Sequence, residues 1–140
     1  MKKITLAIVL LLAIVAISGC IGVDDIETGE QTEVQYEYTD ISPAEAKALI
    51  DEKPDLVIID VSPDYAQGHL PGAVSYYLGD GSLDEAIQTL DKEGEYLVYC
   101  HFESASRAGA QKLVDAGFKN VYRLAGEFGA WVDAGYDIEV

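Results

Sequence analysis

Cys100 is the residue whose type and position point most directly to chemistry. It directly follows the aliphatic run Tyr96-Leu97-Val98-Tyr99, which reads as a strand, and six residues later a helix opens near Ser106. That helix carries Ala110, Leu113 and Val114 at helical spacing and stops at Gly117. A thiol at the carboxyl end of a strand and ahead of a helix start sits where inward-facing loop N–H groups and the helix dipole both favour negative charge. Such a setting stabilises a thiolate nucleophile or an anionic adduct on sulfur. The alternative is a small buried hydrophobe closing a strand end, a common role for free cysteine.

The elements that must position Cys100 alternate along the chain. Ser42-Pro43-Ala44-Glu45 carries three helix-start signals: Ser as N-cap, Pro at the first helical position and Glu three residues after the cap. Asp55 to Val61 is a nearly continuous aliphatic run, as expected for a strand covered on both faces. A short helical turn is expected around Asp64 to Gln67, then a short strand from Val74 to Tyr76. Ser82-Leu83-Asp84-Glu85 repeats the capping-box pattern and opens a helix with Leu83, Ala86, Ile87 and Leu90 on one side. Val121 to Leu124 is the last strand, and Phe128 to Ala134 a closing helix around Trp131. Alternating strands and helices predict one α/β domain, a mainly parallel sheet with helices on both faces. At about 100–200 residues per domain, 140 residues hold one such unit.

Composition excludes several functions. With 25 acidic against 9 basic residues the net charge is −16, opposite to what DNA, RNA or anionic lipid headgroups attract. Hydrophobic residues make up 49%, so the acidity is not that of a disordered chain. Two cysteines, Cys20 and Cys100, build neither a disulfide framework nor a four-cysteine zinc site, and no metal or cofactor is expected. The N-terminus holds Lys2 and Lys3, then Ile4 to Ile17, apolar apart from Thr5. That run is short for a spanning helix, which needs roughly 20 residues, and suits the apolar core of a signal peptide. It ends in Ile17-Ser18-Gly19-Cys20, which resembles the lipobox of prokaryotic lipoproteins. The resemblance implies cleavage before Cys20 and a lipid on its sulfur; an uncleaved N-terminal anchor is the alternative. The expected organisation is a signal peptide over 1–19, lipidated Cys20 with an acidic tether over 20–35, and the domain over 36–140. Either reading places the domain at the cell membrane, outside the cytoplasm. Loss of Lys2 and Lys3 leaves seven basic residues against 25 acidic ones, a net charge of −18, and Cys100 as the only mature thiol free for chemistry.

Three ordered blocks carry a further resemblance. Asp60-Val61, Tyr65 and Gly68-His69-Leu70-Pro71-Gly72-Ala73 resemble a signature of rhodanese domains. Val98-Tyr99-Cys100 and the loop after it look like their active-site strand and loop. Ala116-Gly117-Phe118-Lys119-Asn120-Val121-Tyr122-Arg123-Leu124, with Gly126, Trp131 and Ala134-Gly135-Tyr136, looks like their C-terminal hallmark. The resemblance covers roughly Ile41 to Glu139 and implies sulfur transfer. The loop cysteine takes sulfur from a donor such as thiosulfate, becomes a persulfide, and passes the outer sulfur to a thiol or cyanide. Cys100 carries over as the nucleophile, and loop N–H donors would hold the persulfide anion. His101, Phe102, Glu103, Ser104, Ala105, Ser106 and Arg107 are then the binding set, through backbone or side chains.

The loop departs from the family pattern. Many members read Cys-Arg-Ser-Gly-Asn-Arg; here Glu103 stands at the Gly position and Ala105 at the final Arg. A lost cation and a gained carboxylate should raise the thiol pKa and repel thiosulfate. Arg107 either swings back as a substitute or is an exposed helix residue. His101 either supplies a proton or hydrogen bond, or points away. Asp60 is expected to hold the loop region together and His69 to be a satisfied turn residue; Trp131 and Phe128 read as core. The expected partners are a small sulfur donor or a protein persulfide or thiol, and a monomer is the expected state. Two other classes compete. One is a non-catalytic binding module on the same fold. The other follows from the similarity of Cys100 to Arg107 to the loop of cell-cycle phosphatases sharing this fold, which need five residues between Cys and Arg where six intervene here.

Overall fold

The computed structural model describes residues 35–140; the expected signal peptide, Cys20 and the tether through position 34 lie outside the described residues. Five strands form one parallel sheet: β1 (Thr39–Ile41), β2 (Val57–Asp60), β3 (Val74–Ser75), β4 (Glu95–Tyr99) and β5 (Asn120–Leu124), in the order β1-β5-β4-β2-β3. Four helices accompany them: α1 (Pro43–Glu52), α2 (Ser82–Ile87), α3 (Glu103–Asp115) and α4 (Glu127–Asp133). The α/β architecture is the expected one, and the turn expected near Asp64 is a 3-10 turn at Tyr65–Gln67.

Successive strand residues face opposite sides, so the aliphatic runs feed two cores. Ile59 and Val98 pack with Leu83 of α2 and Ala110 and Leu113 of α3. Ile58 and Leu97 pack on the other face with Ala46 of α1 and Trp131 of α4. Cys100 belongs to the α2 and α3 side. There α3 comes so close to the sheet that a methyl group at Gly109 would lie 3.1 Å from Val61 Cγ1.

Three local readings are corrected. Ser42 does close a capping box: its N–H donates to Glu45 Oε2 at 2.8 Å, while Glu45 N–H donates to Ser42 Oγ. Ser82 does not; Gly81 is the N-cap, at φ 88°, and the Ser82 hydroxyl donates to Asp80 Oδ1 at 2.6 Å. A hydroxyl engaged by the preceding turn leaves the first helical N–H groups to other partners. The helix expected from Ser106 begins at Glu103, with Phe102 as extended N-cap and the N–H groups of Ala105 and Ser106 both donating to Phe102 O. The third correction is β1, for which the sequence offered no strand signal; its register on β5 places Asp40 opposite Arg123.

Candidate active site

The chain starts at the edge strand β1, crosses to β2, winds outward to β3, returns past β2 to β4, and then runs the other way to β5, which lies between β4 and β1. The winding direction therefore reverses between β2 and β4. Parallel α/β sheets bind ligands at such a switch point, beyond the strands' carboxyl ends. Those ends are Asp60 and Tyr99, paired in register, and Val61 N–H donates to Tyr99 O at 3.0 Å. Cys100 is the next residue, a free thiol with 1% of its surface exposed.

Opposing influences act on its sulfur. Burial pushes the thiol pKa up, the N–H groups of Phe102 and His101 pull it down, and the carboxylates of Asp60 and Glu127 push it up again. The net direction is upward, against the lowered pKa that the loop and helix start alone would give. The cause differs from the one expected, since Glu103 plays no part in it. Glu103 is exposed and its carboxylate holds Arg107, at 2.6 Å from Nη2 and 2.9 Å from Nε.

Glu127 was missed by sequence reasoning and is the main polar contact behind Cys100. Its Oε2 accepts the Cys100 N–H at 3.1 Å, and its Oε1 accepts the Ser106 hydroxyl at 2.6 Å and Arg123 Nη1 at 2.8 Å. It is the one non-glycine residue with positive φ among the described residues, at 63°. That conformation costs an L-residue about 1–2 kcal/mol. Arg123, 2% exposed, extends the network with donations from Nε and Nη2 to Asp40 at 2.7 and 2.6 Å. Those bonds hold the Asp40 carboxyl below its ordinary pKa, whereas burial pushes Glu127 up. The signal for this network was present: a lone Arg in a buried strand and a lone Glu in an apolar stretch each require a partner.

Asp60 closes the other side of the loop. It is fully buried, and its Oδ1 accepts the Ser62 N–H at 2.8 Å. Its Oδ2 faces His101 Nε2 at 4.0 Å, and neither atom has a hydrogen-bond partner. The His101 ring stacks on Phe128 at 4.4 Å. His69 is a satisfied structural residue: its backbone exchanges hydrogen bonds with Glu139, its Nδ1 lies 3.0 Å from Tyr65 O, and its ring stacks on Tyr65.

In front of Cys100 lies an open cavity of about 300 Å³. Val61 and Pro63 line it from the end of β2, and Tyr77, Leu78 and Gly79 from the segment after β3. From the nucleophile's own segment come Phe102 and Ala105. Among the described residues no cluster of His, Cys, Asp and Glu is arranged to hold a metal ion.

This cysteine loop at the switch point agrees with the family comparison, in which the model for the rhodanese-like domain matches residues 42–134. The chain belongs to the rhodanese-like domain family. Thiosulfate sulfurtransferase GlpE of Coxiella burnetii is 41% identical over 96 residues, covering 67% of this chain and 87% of that protein. The same-named protein of Pseudomonas entomophila is 37% identical over 95 residues, 68% of this chain and 85% of its own. The rhodanese-like domain of the Alr3790 protein from Anabaena is similar in structure, with a TM-score of 0.66 at 26% identity, covering 74% of this chain and 80% of that one. The chain is thus a sulfurtransferase of the rhodanese family.

Of the residues singled out from sequence, this rhodanese-like fold brings Cys100, Phe102 and Ala105 to the cavity. His101 and Asp60 flank the thiol from the protein side, and Ser106 lies fully buried on Glu127. Glu103 and Arg107 are exposed and pair with each other, and Ser104 sits exposed on the first helical turn. Arg107 is therefore the exposed helix residue of the two alternatives.

Proposed function

We propose that this sulfurtransferase carries sulfane sulfur as a persulfide on Cys100 and hands it to a thiol or another acceptor outside the cytoplasm, as a monomer on a lipid anchor. One observation carries the reading: a free thiol at the switch point, whose pKa the N–H groups of Phe102 and His101 pull down, opens onto a cavity. The thiolate attacks the outer sulfur of the donor, the donor's S–S bond breaks, and its electron pair leaves with the remainder of the donor. The anion then rests on the terminal sulfur, where loop N–H groups stabilise it. The acceptor thiolate attacks that sulfur and returns the electron pair to Cys100. No guanidinium lines the cavity, which favours sulfur over phosphoryl transfer.

Incubation with thiosulfate, polysulfide or a low-molecular-weight persulfide is expected to add the mass of one sulfur atom to Cys100, read by mass spectrometry. Cys100→Ser is expected to take none. If no donor forms the adduct and no cyanide-dependent turnover follows, the binding-module reading replaces this one. The location rests on Lys2-Lys3, the apolar run and Ser18-Gly19-Cys20. Mature protein with Cys20 as its first residue, moving from the membrane to the soluble fraction once the lipid is cleaved, is the expected result; a retained Met1 overturns it.

A further inference from the structure

The cavity before Cys100 holds no charged side chain: of the seven Lys and Arg in the described residues, none lines it. The two cations nearest in sequence to the loop and its supports are committed elsewhere, Arg107 to Glu103 and Arg123 to Asp40 and Glu127. The charges that do act on the thiol from behind, Asp60 and Glu127, are negative. A dianion entering this space would leave water without meeting a counter-charge, which is expensive. An apolar group gains there by burial against Val61, Pro63 and Leu78. Phe102, 62% exposed, lines the cavity and adds an aromatic side chain against which an aromatic donor gains contact. A volume of about 300 Å³ is at the small end of ligand sites, enough for one ring or a short alkyl chain.

We infer that this site takes sulfane sulfur from donors with an apolar body and a single negative charge, aryl or alkyl thiosulfonates and organic persulfides, in preference to the thiosulfate dianion. The inference rests on the reading of Cys100 as persulfide carrier. With a thiosulfonate, the Cys100 thiolate bonds to the outer sulfur while the bond from that sulfur to the sulfonyl sulfur breaks. The electron pair departs with the sulfinate, leaving Cys100 persulfide, and charge is conserved. With an organic persulfide the leaving group is the thiolate.

The test compares kcat/KM for benzenethiosulfonate and thiosulfate, with cyanide as acceptor, on the full chain and on two variants. Wild type is expected to favour benzenethiosulfonate by at least about tenfold, and Ala105→Arg to shrink that ratio about tenfold by improving thiosulfate, the scale of one partly screened charge pair. Phe102→Ser, at an exposed position that does not threaten folding, is expected to weaken benzenethiosulfonate about threefold more than it weakens thiosulfate. Equal or better use of thiosulfate by wild type, or a ratio unmoved in both variants, overturns the donor preference while leaving the carrier reading intact. If Cys100 accepts sulfur from neither donor nor from an organic persulfide, the carrier reading itself fails.

Discussion

The two sides of Cys100 are built from opposite materials. Behind it, Glu127, Arg123, Ser106 and Asp40 form a hydrogen-bonded, largely buried ionic network, and Asp60 stands opposite His101. In front of it, aliphatic and aromatic side chains line an uncharged cavity. Both of the nearby arginines serve the scaffold, so the loop is held by charge while its substrate meets none. The three-residue loop between β4 and α3, Cys100 to Phe102, is thereby fixed through its backbone, and selection among donors falls to shape and apolar contact.

The largest effect is expected from breaking the buried side. Arg123→Ala leaves the Glu127 carboxylate buried without its cation, a loss of about 3–5 kcal/mol that urea denaturation would measure. An intermediate effect belongs to Gly109→Ala. Its methyl group would crowd Val61 at the cavity wall, so a destabilisation of about 1–3 kcal/mol is expected in denaturation, with a narrower site that lowers kcat/KM for bulky donors first. A stability change without any donor-size effect would separate α3 packing from the cavity.

The same contrast has a pH signature. Because burial, Asp60 and Glu127 raise the thiol pKa, alkylation of Cys100 by uncharged iodoacetamide should keep accelerating as pH passes the ordinary thiol value. Glu127→Gln removes one of those carboxylates, and the midpoint is expected to move to lower pH; an unchanged midpoint would leave burial and Asp60 as the causes. The folded chain binds this proton more tightly than the unfolded one. That contribution to stability is complete below the ordinary thiol pKa and is lost as pH rises through the folded value, so Cys100→Ser should flatten the alkaline loss. The smallest effect is a control far from both sides. Ser42→Ala opens the α1 capping box at a cost of about 1 kcal/mol, seen as a lower Tm with unaltered donor preference.

Legibility followed the range of the interactions involved. Ser42-Pro43-Ala44-Glu45 was readable because every partner of that cap lies within four residues. The helix start read near Ser106 lies one turn too late: α3 begins at Glu103, and the Ser106 hydroxyl goes to Glu127, 21 residues away. β1 is three residues with no apolar alternation, held by β5 and by the Asp40–Arg123 pair across the sheet. Cys100 was legible because a strand end is a local feature. The cavity was not, since its walls come from three separate stretches of chain.

From the sequence alone followed the α/β alternation, the family and the cysteine, because hydrophobic period, caps and block order are encoded between near neighbours. The tertiary structure decided which charges face the sulfur. It turned Glu103 and Arg107 toward each other, buried Glu127 and Arg123 as a pair, and left Ala105 at the edge of an uncharged space. An ion pair forms where folding brings two charges together, and no local rule of spacing states that.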